Sequence, residues 1–127
     1  MTAGKTILLV EDDPVNLKLM RDALQAHGYG VESADNGMEA VDRAVQLVPD
    51  LIVMDMGLPG IDGAEATRRL KAAPSTRAIP VIAVTAHAMP GDEERIRAAG
   101  CDAYLPKPLR FAEFVRVVGS FLTSSSG

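Results

Sequence analysis

Apolar residues in this chain fall into two alternating patterns. Short continuous runs stand at 6–10 (TILLV), 50–55 (DLIVMD) and 79–85 (IPVIAVT). Each is bounded by Gly, Pro or acidic residues and is too short for a helix, which predicts strands buried on both faces. Weaker runs at 29–34 (YGVESA) and 102–106 (DAYLP) bring the predicted strands to five. Between them the apolar period changes to that of a helix. Pro14 suits a first turn, Leu17, Met20 and Leu24 share one face, and Gly28 stops that helix. Asn36 or Asp35 caps a second, with Ala40, Val41, Ala44 and Val45 turned inward and Pro49 closing the segment. Gly63 opens a third that runs to about Ala73, with Ala66, Leu70 and Ala73 inward and Pro74 ending it. Met89, Pro90, Gly91 and Asp92 lead into a charged fourth helix over 93–100, terminated by Gly100. The last helix carries Phe111, Phe114, Val115, Val118, Phe121 and Leu122 on one stripe.

Strict alternation of strand and helix implies an α/β fold, a (βα)5 doubly wound, five-stranded parallel sheet with right-handed crossovers covering both faces. In strand order 2-1-3-4-5 the order reverses between the first and third strands, and open sheets of this kind bind ligands there, beyond the strand carboxyl ends. The first strand runs into Glu11, Asp12 and Asp13, and the third ends on Asp55. Topology and acidic residues therefore select the same crevice.

Composition narrows the classes. At 127 residues and 47% apolar content the chain is read as a single domain, with a core of about 5–122 and a disordered tail or linker stump at 123–127. Thirteen basic against 17 acidic residues give a net charge of -4, so no overall cationic field favours direct nucleic acid binding. Cys101 is the only cysteine, which excludes an internal disulfide. No signal peptide or long apolar run is found, so the expected location is cytoplasmic, without membrane insertion.

Carboxylates converging in one crevice repel one another unless a cation is bound or protons are retained. An oxygen-only donor set without histidine or thiolate suits magnesium, with manganese able to stand in. The fourth strand ends in Thr85 and the fifth runs into Lys107, a hydroxyl and an ammonium suited to phosphate oxygens. Together these groups point to phosphoryl transfer with a carboxylate nucleophile, giving an aspartyl phosphate. Asp55, alone at its strand end with Gly57 close behind, is the candidate nucleophile. Glu11 and Asp12 are better placed to hold the metal.

The Val10-Glu11-Asp12 triplet, DMGLPGIDG at 55–63, VTA at 84–86 and Lys107-Pro108 resemble, in order and spacing, the receiver domains of two-component response regulators. VTAHAMPGDEERIRAAGCDAYLPKP is most similar to the single-domain DivK-type branch. The resemblance covers essentially the whole chain and implies a flavodoxin-like, CheY-like fold. It implies that Asp55 is the phosphoacceptor, phosphorylated by a histidine kinase or a histidine phosphotransfer protein. Magnesium would be held by Asp12, Asp55 and the Gly57 backbone carbonyl, and by Glu11 through a metal-bound water. Thr85 and Lys107 would contact the phosphoryl oxygens, and the Lys107-Pro108 bond would be cis. Thr85 and Tyr104 would act as the switch pair that alters the surface of the fourth helix, fifth strand and fifth helix, where a downstream protein binds. Such a domain is no conventional enzyme, though it assists its own phosphorylation and slow autodephosphorylation.

Blander readings stand beside these. Asp13 is either a third acid or a helix cap, and stays outside the metal set. Tyr104 alone would pack against the last helix; His87 alone is a surface residue without a task. Glu93, Glu94, Arg95 and Arg97 make either a solvated helix face or a partner surface. A receiver excised from a hybrid histidine kinase or a multidomain response regulator shares every motif. A flavodoxin-like electron carrier shares the topology, but Glu11, Asp12 and Asp13 would repel a flavin phosphate. An aspartate-dependent phosphatase would ordinarily carry a second acid where Gly57 stands.

Overall fold

The structure is a computed structural model and describes residues 4–86 and 91–123. His87, Met89, Pro90 and the terminal residues 124–127 lie outside the described residues. The element order is β1 (Thr6–Val10), α1 (Pro14–Gln25), β2 (Gly30–Ala34), α2 (Gly37–Leu47), β3 (Leu51–Asp55), α3 (Gly63–Ala72), β4 (Val81–Thr85), α4 (Asp92–Ala98), β5 (Ala103–Pro106) and α5 (Phe111–Thr123). All strand pairings are parallel and the order is β2-β1-β3-β4-β5, as the alternating pattern predicts.

The uninterrupted apolar runs are explained by two cores, one on each face of the sheet. Successive strand side chains point to opposite faces. Leu8, Val10, Ile52, Met54, Val81 and Ala83 meet α2, α3 and α4, whereas Ile7, Leu9, Leu51, Val53, Ile82 and Val84 meet Met20 and Leu24 of α1 and Phe114 and Val118 of α5. β3 and β4 are buried at every position; β2, at the sheet edge, alternates. Cys101 is buried, its thiol 3.7 Å from Thr67 Oγ1, and burial pushes its pKa up.

The second helix departs from the expected packing. Ala40 and Ala44 are buried, but Val45 is 48% exposed and Val41 only half-buried. The start of α2 lies close to the β3–α3 loop: a Cβ on Gly37 would stand 2.5 Å from Ile61 Cγ1. Only small residues fit that approach. The helix also ends before Pro49, at Val48, whose φ of 44° is left-handed and sterically costly for a β-branched residue. The Asn36 side chain accepts the Glu39 amide at 2.8 Å, and Glu39 accepts the Asp35 amide at 2.9 Å, so Asn36 rather than Asp35 is the cap.

Candidate functional site

Strand order places the carboxyl ends of β1 and β3 side by side, with β4 next and β5 beyond it. Glu11, Asp55, Thr85 and Lys107 meet there. Asp55 closes a strand without an exposed residue, yet its carboxylate is anchored on both oxygens. The Gly57 amide donates to Oδ1 at 2.9 Å, and Lys107 Nζ donates to Oδ2 at 3.1 Å. The chain returns tightly behind it. A Cβ on Gly63 would collide with the Asp55 carbonyl oxygen, so α3 can start against β3 only with glycine at that place.

Lys107 is 52 residues from Asp55 and 96 from Glu11, whose Oε1 it also meets at 3.2 Å. Its backbone amide donates to the Thr85 carbonyl at 2.8 Å, which extends the β4–β5 pairing and sets the lysine beside the threonine. The Lys107-Pro108 peptide is cis. Thr85 itself is 4% exposed.

The consecutive acids have three different environments. Glu11 is 2% exposed and accepts the Asp13 amide at 3.1 Å. Asp12 is exposed, at the mouth. Asp13 is the N-cap of α1, accepting the Val15 amide at 3.2 Å, so the cap reading of that residue is the one the structure supports. Carboxylate oxygens of Glu11, Asp12 and Asp55 lie within 4.8 Å of one another.

Charge in this crevice is unbalanced. Burial pushes the Glu11 carboxyl above its ordinary range, and the Asp55 charge adds to that, against the Asp13 amide and Lys107, which pull it down. Burial alone would lower Lys107, but the charges of Asp55 and Glu11 outweigh it and hold the ammonium above its usual value. Four acids, Glu11, Asp12, Asp13 and Asp55, line the cleft against Lys107 and Arg95, and Lys107 is the cation in contact with the two buried carboxylates. Hard oxygen donors at such mutual distances fit a divalent ion of the magnesium type, and fit no soft metal. The same acids make the crevice unsuited to a flavin phosphate.

The cleft holds about 360 Å³ and is walled by Glu11, Asp12, Asp13, Asp55, Gly57, Thr85 and Lys107. Asn16, Met56, Ala86 and Arg95 also line it; in the sequence Met56 and Ala86 stand out only as parts of motifs, Arg95 only as part of a charged helix face, and Asn16 not at all. Nothing in local spacing separates Arg95 from its charged neighbours on α4. Asp62, which meets Arg95 across the rim at 4.0 Å, was legible as a cap: Asp62 and Glu65 stand three apart before a helix, and the Asp62 side chain accepts the Glu65 amide at 2.9 Å. Tyr104 is half-buried outside the cleft, its hydroxyl donating to Glu93 of α4 at 3.1 Å. A larger, more apolar groove of about 520 Å³ opens alongside, between Lys107 and the exposed flank of α1 at Leu19.

Comparison with known proteins agrees with this geometry. The polar-differentiation response regulator DivK of Brucella anthropi is 49% identical over 118 residues, covering 93% of this chain and 96% of that protein. Among solved structures, the receiver domain of the sensor histidine kinase PA1611 from Pseudomonas aeruginosa, with a magnesium ion coordinated in its active site cleft, superposes with a TM-score of 0.88 at 41% identity, covering 95% of this chain and 99% of that one. The chemotaxis protein CheY4 of Vibrio cholerae matches with a TM-score of 0.88 at 25% identity, over 94% of this chain and 100% of that one. The response regulator receiver domain family matches residues 7–119, and the chain belongs to that family.

Proposed function

We propose that the chain is a phosphorylation-dependent switch in which Asp55 accepts a phosphoryl group from a histidine kinase or a histidine phosphotransfer protein. The observation that carries this is the placement of Asp55: a buried strand-end carboxylate, fixed by Gly57 and Lys107 and flanked by Glu11 and Asp12. Asp55 attacks phosphorus, the new O–P bond forms, and the donor's P–N bond breaks with its electron pair returning to the imidazole nitrogen. The protein's share is positioning and charge neutralisation. The Gly57 amide orients one Asp55 oxygen, and Lys107 answers charge on the transferred group. Asp12, Asp55 and the Gly57 carbonyl would hold magnesium, with Glu11 acting through an intervening water; manganese fits the same oxygen set. When bound, the ion supplies the positive charge this crevice lacks. The magnesium in the cleft of the Pseudomonas aeruginosa receiver supports the assignment.

The modified state is read out through contacts that differ between two conformations. The Thr85 hydroxyl donates to a phosphoryl oxygen, and Tyr104 exchanges its bond to Glu93 for a position nearer β4. That shift alters the α4, β5 and α5 surface offered to a downstream protein. The apolar groove beside Lys107 gives a phosphodonor protein a surface to rest on. The domain assists its own phosphorylation and slow dephosphorylation and turns over no other substrate. Among the described residues no helix is long and apolar enough to cross a membrane, and we place the switch in the cytoplasm, without direct nucleic acid binding. With magnesium and acetyl phosphate, intact mass should show one added phosphoryl group, absent in Asp55→Asn; equal labelling of that variant would overturn the assignment.

A further inference from the structure

The cation supply of the cleft is divided between two side chains of different standing. Lys107 is committed, shared between Glu11 and Asp55 before any anion arrives. Arg95 lines the same cleft from α4, and its side chain is 49% exposed. Among the described residues its one ion pair is with Asp62 at 4.0 Å, at the limit of such a contact. The neighbouring Arg97, by contrast, is tied to Glu93 at 2.9 Å. Asp62 cannot close the gap freely, because its other oxygen caps α3 on the Glu65 amide. Arg95 is the long, adaptable partner of the pair.

Resting on Asp55 as phosphoacceptor, we infer that Arg95 is a specificity-determining residue for the phosphodonor: it draws in donors of net double negative charge at the cleft mouth, and Asp62 competes with them for its guanidinium. A planar fork of N–H donors suits the oxygens of a phosphoryl group, and an attraction at the rim acts on encounter more than on the fold. With acetyl phosphate as the donor, the Asp55 O–P bond forms, the P–O bond to the acetyl group breaks, and acetate leaves as the anion with that electron pair. No proton or co-reactant is consumed.

The test compares second-order phosphorylation rate constants for acetyl phosphate, a dianion at neutral pH, and phosphoramidate, which carries less charge, at saturating magnesium. Arg95→Gln should slow reaction with acetyl phosphate about two- to fivefold, the range for a half-exposed charge pair, and slow phosphoramidate less. Asp62→Asn keeps a capping oxygen but removes the competing charge, so it should speed acetyl phosphate. In the double variant that gain should vanish. Magnesium titration and thermal unfolding of each variant separate these effects from metal loss or misfolding. Equal rates for Arg95→Gln and the unmodified protein, or a full Asp62→Asn gain without Arg95, would overturn this inference alone. No phosphorylation of the unmodified protein would overturn the Asp55 assignment and this inference with it.

Discussion

A lysine joins distant segments at each end of the sheet, and the two are wired differently. At the amino end Lys71 of α3 donates to the carbonyls of Arg77 and Ile79, at 3.3 and 2.7 Å, and to Asp102 Oδ2 at 3.2 Å. The same Asp102 oxygen accepts the Val81 amide at 2.9 Å. One acid, one lysine and neutral backbone groups make a balanced set that ties α3 to the entrances of β4 and β5. At the carboxyl end Lys107 meets two buried carboxylates while Asp12 adds a third nearby. Similar chemistry yields a clasp where charges balance and a candidate binding site where negative charge is left over.

The sharpest way to break this contrast is to remove negative charge from the unbalanced end. Asp12→Ala should weaken magnesium binding about 10- to 100-fold, or ~1.4–2.8 kcal/mol, by calorimetric titration. Unchanged affinity would count against the ligand set. Stability in the presence of magnesium should fall along with affinity, since an ion that binds only the folded state stabilises it. At the balanced end Lys71→Met should cost about 1–2 kcal/mol in urea unfolding, because two carbonyls and Asp102 lose a donor. Its magnesium affinity should not change; a drop would mean that the two ends are coupled. The smallest effect sharpens the comparison within a single tripeptide. Asp13→Ala should cost about 0.5–1 kcal/mol through loss of the α1 cap, leaving magnesium titration as in the unmodified protein.

Legibility in the sequence followed the range of the interaction involved. The buried runs of β1, β3 and β4 and the α5 stripe from Phe114 to Leu122 were readable because they depend on periodicity within a few residues, whereas Phe111, at the start of that stripe, is exposed. The inward face of α2 was only half readable. Val45 has the right spacing but is 48% exposed, because spacing fixes which side of the helix a residue takes and not how far the neighbouring elements reach over it. Asp12 and Asp13 look alike in sequence; backbone geometry after β1 makes one a member of the acidic cluster and the other a cap.

The amino-acid sequence by itself determined that strands and helices alternate, that Asp55 stands where a buried strand meets solvent, and that oxygen donors, a hydroxyl and a lysine follow strand ends. These are properties of single segments, carried by side-chain period and by proline and glycine. Tertiary structure decided which ends become neighbours. It brought Lys107 to Glu11 and Asp55 across 96 and 52 residues, buried Glu11 while leaving Asp12 at the mouth, and set Arg95 opposite Asp62. The physical reason is that electrostatic interaction depends on distance and burial, and neither exists along an unfolded chain until the strand order is made.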